Sequence, residues 1–181
     1  MNGRLFLARL HLPAGLRRRK LEELLLLTAR AFDVPPPSFR GLSQNGLLRT
    51  FAEFSREMAE KTLDSPAGSA TAEKRLFDGA SRLGREIGRT LRVSTPQEAM
   101  AAARILYRCL EIDFRGDAGG DIVIRRCFFG SVYSPEVCRL MSSLDAGILS
   151  GLAGGGGLEF SERLTEGRDC CLARFSFKDG A

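Results

Sequence analysis

The stretch "LEIDFRGDAGGDIVIRRCFF", residues 110–129, decides the fold. Within it the spacing of apolar residues changes from one every three or four positions to one every second position, from helix to strand. "LEIDFR" and "DIVIRRCFF" read as strands, and the glycines and aspartates of "GDAGGD" between them read as a hairpin turn. Further on, "LEFSERL" and "CCLARFSFK" alternate in the same way. Before residue 110 the helical period holds throughout. The expected fold is therefore α+β, with N-terminal helices followed by a four-stranded, mainly antiparallel sheet and one long helix packed on it.

Working back from that stretch, Leu21, Leu24, Leu25, Thr28 and Phe32 fall at helical spacing, and "VPPPSFRG" (Val34 to Gly41) ends their helix. Leu47, Phe51, Phe54 and Met58 mark a second helix from Gly46 to Lys61, after which "DSPAGSA" (Asp64 to Ala70) reads as a loop. A third helix runs from about Thr71 to Leu91. Its Gly84 and Gly88 lie one turn apart, which weakens the helix but admits another backbone at close range. Thr95 as N-cap, Pro96 in the first turn and Glu98 closing a capping box start a fourth helix that reaches Cys109.

Working forward, the long helix spans Pro135 to Leu152, and "AGGGG" follows it. A phosphate-cradling loop follows a strand and opens a helix; this run does the reverse and reads as a connector. The chain divides into a helical segment, residues 1–70, and an α+β unit, residues 71–181, or forms one continuous domain.

Hydrophobic residues at 44% and charged residues at 27% are ordinary for a globular protein. The longest aliphatic run, Leu24 to Leu27, is far too short for a membrane span. The net charge of +5 is local: Arg4, Arg9, Arg17, Arg18, Arg19 and Lys20 stand in residues 1–20 with no acid among them, so the rest is close to neutral. A nucleic-acid groove needs positive charge spread over a folded face, so nucleic acid is not an expected partner. The N-terminus lacks the apolar run and small-residue cleavage site of a secretory signal. Five cysteines, an odd number in a chain large enough to need no staples, point to reduced thiols and a cytoplasmic location.

At about 100° per residue, Val137, Leu140, Met141, Leu144, Ile148, Leu149 and Leu152 share one half of the long helix. Cys138 and Asp145 nearly eclipse each other within that apolar half. A carboxylate there must either find a cation or hydrogen-bond donors, or have its pKa raised. Asp145 is thus the unusual residue, and it has two readings: an acid at a ligand site, or a structural acid holding a neighbouring segment.

Strand alternation places Cys171, Ala173, Phe175 and Phe177 inward and Cys170 outward. In "LEFSERL" the inward set is Leu158, Phe160, Glu162 and Leu164, which puts a second acid on the core face. Because Arg125 and Arg126 are adjacent, either register sends one of them inward, to pair with Asp145 or Glu162 or to bind a carboxylate ligand. The alternative is a buried ion pair with no ligand. The only histidine, His11, is remote in sequence, so Ser-His and Cys-His schemes lack a base. Zinc held by Cys127, Cys138, Cys171 and Asp145 is the less favoured arrangement, since the short Cys-x2-Cys spacing of structural zinc sites is missing; no cofactor is expected.

"RCFFGSVYSPEVCRLMSSLDAGILSGL" and "LEFSERLTEGRDCCLARF" together resemble the C-terminal part of the L-2-amino-thiazoline-4-carboxylic acid hydrolase family. The matching positions are Cys127, Cys138, Asp145, Gly167 and Cys171. "GREIGRTL" and "TEGRDCCLARF" also resemble the vinyl-reductase-type small-molecule-binding domains. The resemblance covers roughly residues 75 to 178 and departs at Phe128-Phe129, where the hydrolases carry proline. It implies an often dimeric α+β ligand-binding domain with a pocket between helices and sheet. It also implies opening of a cyclic amidine by water, with Asp145 as base or proton donor, Cys127 and Cys138 lining the site, and an inward arginine on the substrate carboxylate. The alternative it implies is a non-catalytic ligand sensor or dimerising interaction domain.

Overall fold

A computed structural model of the chain describes Gly3, Leu5, Phe6 and residues 13–178. Helices α1 (Ala14–Ala31), α2 (Gln44–Leu63), α3 (Pro66–Leu91) and α4 (Pro96–Cys109) come first. The hairpin β1 (Ile112–Gly116) and β2 (Asp121–Cys127), the long helix α5 (Pro135–Ala153), β3 (Gly156–Glu162) and β4 (Cys171–Phe177) follow. The strands form one antiparallel sheet in the order β1-β2-β4-β3. The α+β class, helices before sheet, and the long helix packed on it are as the change of period predicted.

Local chemistry sets most helix starts. Ser43, Ser65, Thr95 and Ser134 each stand at an N-cap, and each hydroxyl accepts a hydrogen bond from the amide three residues on, at 3.1 to 3.2 Å. Glu98 completes its box one residue early, taking the Ser94 amide at 3.0 Å and the Ser94 hydroxyl at 2.9 Å. The loop expected over Asp64 to Ala70 is a correction: α3 begins at Pro66. Serine, proline and glycine in "DSPAGSA" form a Ser65 cap with proline in the first turn, and Ser69 Oγ ties the start to Thr62 O at 3.1 Å.

One hydrophobic core runs through the described residues, from Leu21, Leu24, Leu47 and Phe51 of the first helices to Ile122, Ile124, Ala173 and Phe175 of the sheet. Its tightest seam joins α3 to α5. A β-carbon on Gly84 would stand 2.4 Å from Ile148 O, one on Gly147 2.4 Å from Phe77 O, and one on Gly151 2.2 Å from Ser81 O. No side chain fits at those distances. Gly84 meets the close backbone that its spacing suggested, and the partner surface is the Gly147/Gly151 stripe of α5.

Candidate functional site

Each irregularity in the sheet decides which side chain reaches the interior. Between β1 and β2, Ile112 pairs with Cys127 and Phe114 with Ile124, so Asp113 faces both Arg125 and Arg126. This bulge breaks the alternation: Ile122, Ile124 and Cys127 stay on the inner side, and both arginines are exposed. The expectation that one of Arg125 and Arg126 points inward is not met. Between β3 and β4, Phe160 pairs with Ala173 and Glu162 with Leu172, so Ser161 is an extra residue. Past it, Glu162 shares a side with half-exposed Leu172 rather than with buried Ala173, and Arg163 takes the inward direction. Glu162 is therefore not the inward acid that strict alternation predicts.

Arg163 is the cation that sequence reading missed. Its Nη1 donates to Ser142 Oγ at 2.7 Å and lies 3.8 Å from Cys138 Sγ, while its guanidinium carbon stands 4.1 Å over the Phe160 ring. Asp145 is the centre of the cluster. Its residue is part-exposed along the helix but its carboxyl is enclosed, and the Tyr107 hydroxyl of α4 donates to Oδ1 at 2.6 Å. Burial raises the pKa of Asp145 from 3.8 to about 6, against the Tyr107 hydrogen bond and the charge of Arg163, which both lower it. Burial, then the facing carboxylate, push Tyr107 well above its ordinary range. The Tyr107 ring is itself held, stacked on Phe114 with centroids 4.7 Å apart.

The thiols close around this pair. Burial pushes Cys127 up to about 12, although the Phe129 and Gly130 amides pull the other way. Cys171 is buried in β4, its sulfur accepting the Leu164 amide at 3.3 Å, and burial raises its pKa too. Tyr133 shares a 2.5 Å hydrogen bond with Ser55 of α2, and its pKa, raised mainly by burial, also feels Cys127, Asp145 and Cys138. Asp145, Cys138, Cys127 and Cys171 are thus brought into one electrostatic neighbourhood, whereas Arg125, Arg126 and Glu162 lie outside it. Both tyrosines of the chain belong to it. Their signal was available: a tyrosine among apolar helix positions, as Tyr107 is, needs a partner for its hydroxyl when buried.

All five cysteines are free, and among the described residues no three or more His, Cys, Asp or Glu side chains are arranged to hold a metal ion. His11 lies outside the described residues. No helix among the described residues is long and apolar enough to cross a membrane. A cleft of about 1130 Å³ opens on the other side of Cys127, between α4 and β1. Cys127 and Phe128 form part of its wall, and Asp145 does not line it. What the arrangement supplies chemically is an acid that titrates near neutral pH, a donor fixed on it, and one guanidinium nearby.

Compared with protein-family models and with curated proteins, the chain matches none.

Proposed function

We propose that this protein binds a small organic molecule and that Asp145 is the ionisable centre of its α+β unit. The observation that carries the reading is the enclosed carboxyl of Asp145, poised at about 6 and held by Tyr107 among Cys127, Cys138 and Cys171. Such a group gains or loses a proton near physiological pH, which an ordinary surface aspartate does not. The resemblance to the thiazoline carboxylate hydrolases gives this acid a task. Asp145 takes a proton from water attacking the carbon between nitrogen and sulfur and returns it to the ring nitrogen as that leaves. Arg163, rather than Arg125 or Arg126, is then the cation for the substrate carboxylate.

The second reading, a non-catalytic ligand sensor or dimerising interaction domain, is favoured by one fact: Asp145 Oδ1 is already taken by Tyr107, and the residue does not line the large cleft. Incubation of wild type with 2-amino-thiazoline-4-carboxylate, followed by chromatography of the ring-opened product, separates the two. Turnover by wild type, lost in Asp145→Asn without a lower melting temperature, supports the hydrolase. No turnover by wild type sinks it and leaves the sensor, for which ligands must still raise the melting temperature. A homodimer belongs to both readings, and light scattering on the eluting protein tests it.

A further inference from the structure

The large cleft beyond Cys127 has a composition that the Asp145 centre does not use. Its back wall is made by core residues that are almost wholly buried, among them Met100, Ile112 and Phe114, and Phe128 is the apolar side chain that stands part-exposed in it. Its rim carries Arg17 from α1, Arg104 and Arg108 one turn apart on α4, and Arg126 from the end of β2. Acids are present, but two of the three are engaged: Glu98 takes the Ser94 amide and hydroxyl, and Asp113 stands 3.4 Å from Arg115. Glu111 sits exposed in the tight turn after α4. Arg104 and Arg126 are exposed and form no hydrogen bond or ion pair among the described residues.

Unpaired guanidiniums beside a part-exposed aromatic ring suit one class of ligand. The Phe128 ring offers a face to a hydrocarbon or aromatic body, and the planar donors of arginine match the two oxygens of a carboxylate or sulfonate. The volume is slightly above the roughly 300 to 1000 Å³ of ordinary small-molecule sites. The bulge that fails to send an arginine into the core instead supplies Arg126 to this rim. We infer that this cleft is the binding site for an organic oxyanion with an apolar body, its acid group held by Arg104 and Arg126. The assignment goes beyond the Asp145 reading, since neither Asp145 nor Arg163 lines this cleft, and gives the protein a second site with its own class of ligand.

The test uses 1-anilinonaphthalene-8-sulfonate, whose fluorescence rises when its rings leave water, with octanoate and octanol as competitors. Wild type binds the probe saturably, octanoate displaces it, and octanol of the same chain length does so far less well. Arg104→Gln with Arg126→Gln weakens probe binding about tenfold or more. The melting temperature stays at the wild-type value, since neither side chain has a partner to lose. Equal displacement by octanol, or wild-type affinity in the double variant, overturns the oxyanion assignment while small-molecule binding survives. If the probe does not bind saturably and octanoate leaves the melting temperature unmoved, the cleft assignment falls, whereas the Asp145 reading stands or falls on turnover of the thiazoline carboxylate.

Discussion

The hydroxyl of Tyr107 donates to Asp145 Oδ1 at 2.6 Å, joining α4 to α5 across 38 residues of chain. This one bond makes an acid tolerable on the apolar face of a helix. It does not fully compensate burial, and the remaining imbalance is what makes Asp145 measurable.

Asp145 titrates at its ordinary 3.8 in the unfolded chain and at about 6 in the folded protein. Between these values the folded state holds more protons than the unfolded one, so stability from this group falls as pH rises. The cost is small below 3.8 and complete above the folded value, where it reaches about 3 kcal/mol. Asp145→Asn, which cannot ionise, is therefore expected to melt several degrees above wild type at pH 8, with the gap closing toward pH 4. Melting curves of both proteins over that range check it; a gap that is constant or widens in acid would contradict the placement of the carboxyl.

Tyr107→Phe keeps the ring on Phe114 but removes the donor. Asp145 then loses the strongest influence holding its pKa down, so the midpoint of its titration moves above about 6. The variant loses about 1 to 3 kcal/mol at neutral pH, where the carboxylate is charged and unsatisfied, and less in acid. In the Asp145→Asn background the same change should cost distinctly less. A double-mutant cycle in urea reads this coupling.

Gly84 and Gly88 look equivalent in sequence, but the geometry separates them. Alanine at 84 would press its β-carbon to 2.4 Å from Ile148 O, a backbone atom that can move only if the two helices part. Gly84→Ala should cost about 1 to 3 kcal/mol or more. At 88 the nearest atom is 3.6 Å away, so Gly88→Ala should be neutral or gain up to about 1 kcal/mol of helix propensity. Denaturant midpoints for the two variants, falling on opposite sides of wild type or nearly so, test the seam.

Cys127 and Cys109 have thiols that burial pushes up to about 12 and about 11. Thiolate is the species that alkylates, so at pH 8 both are expected to react with iodoacetamide roughly a hundredfold or more slowly in native protein than in urea. Peptide mass spectrometry over a time course gives the rates. Fast native labelling of Cys127 would show that its sulfur is open to the cleft.

Several features were legible without coordinates because they depend on local spacing. The capping box at Thr95 and Glu98 works through residues within a turn of each other, and the alternation of "CCLARFSFK" buries Cys171, Ala173 and Phe175 with no knowledge of the partner strand. Asp145 stood out for the same reason, since winding the helix is enough to place a charge among leucines. "DSPAGSA" misled because serine, proline and glycine serve a helix start as well as a loop, and only the Ser65 to Gly68 bond decides between them.

The sequence by itself determined the α+β order, the starts of α4 and α5 and an acid on an apolar face, all of which follow from patterns a few residues long. Tertiary structure alone decided what meets that acid. One extra residue at Ser161 exchanges Glu162 for Arg163 on the inner side, and one at the Arg125-Arg126 pair turns both arginines outward. A strand's alternation counts residues within one chain segment, whereas a bulge is a mismatch between two. The partner of Asp145 is likewise set by where α4 packs beside α5: the sequence shows that a buried Tyr107 needs a partner, and only the packed helices show that the partner is Asp145.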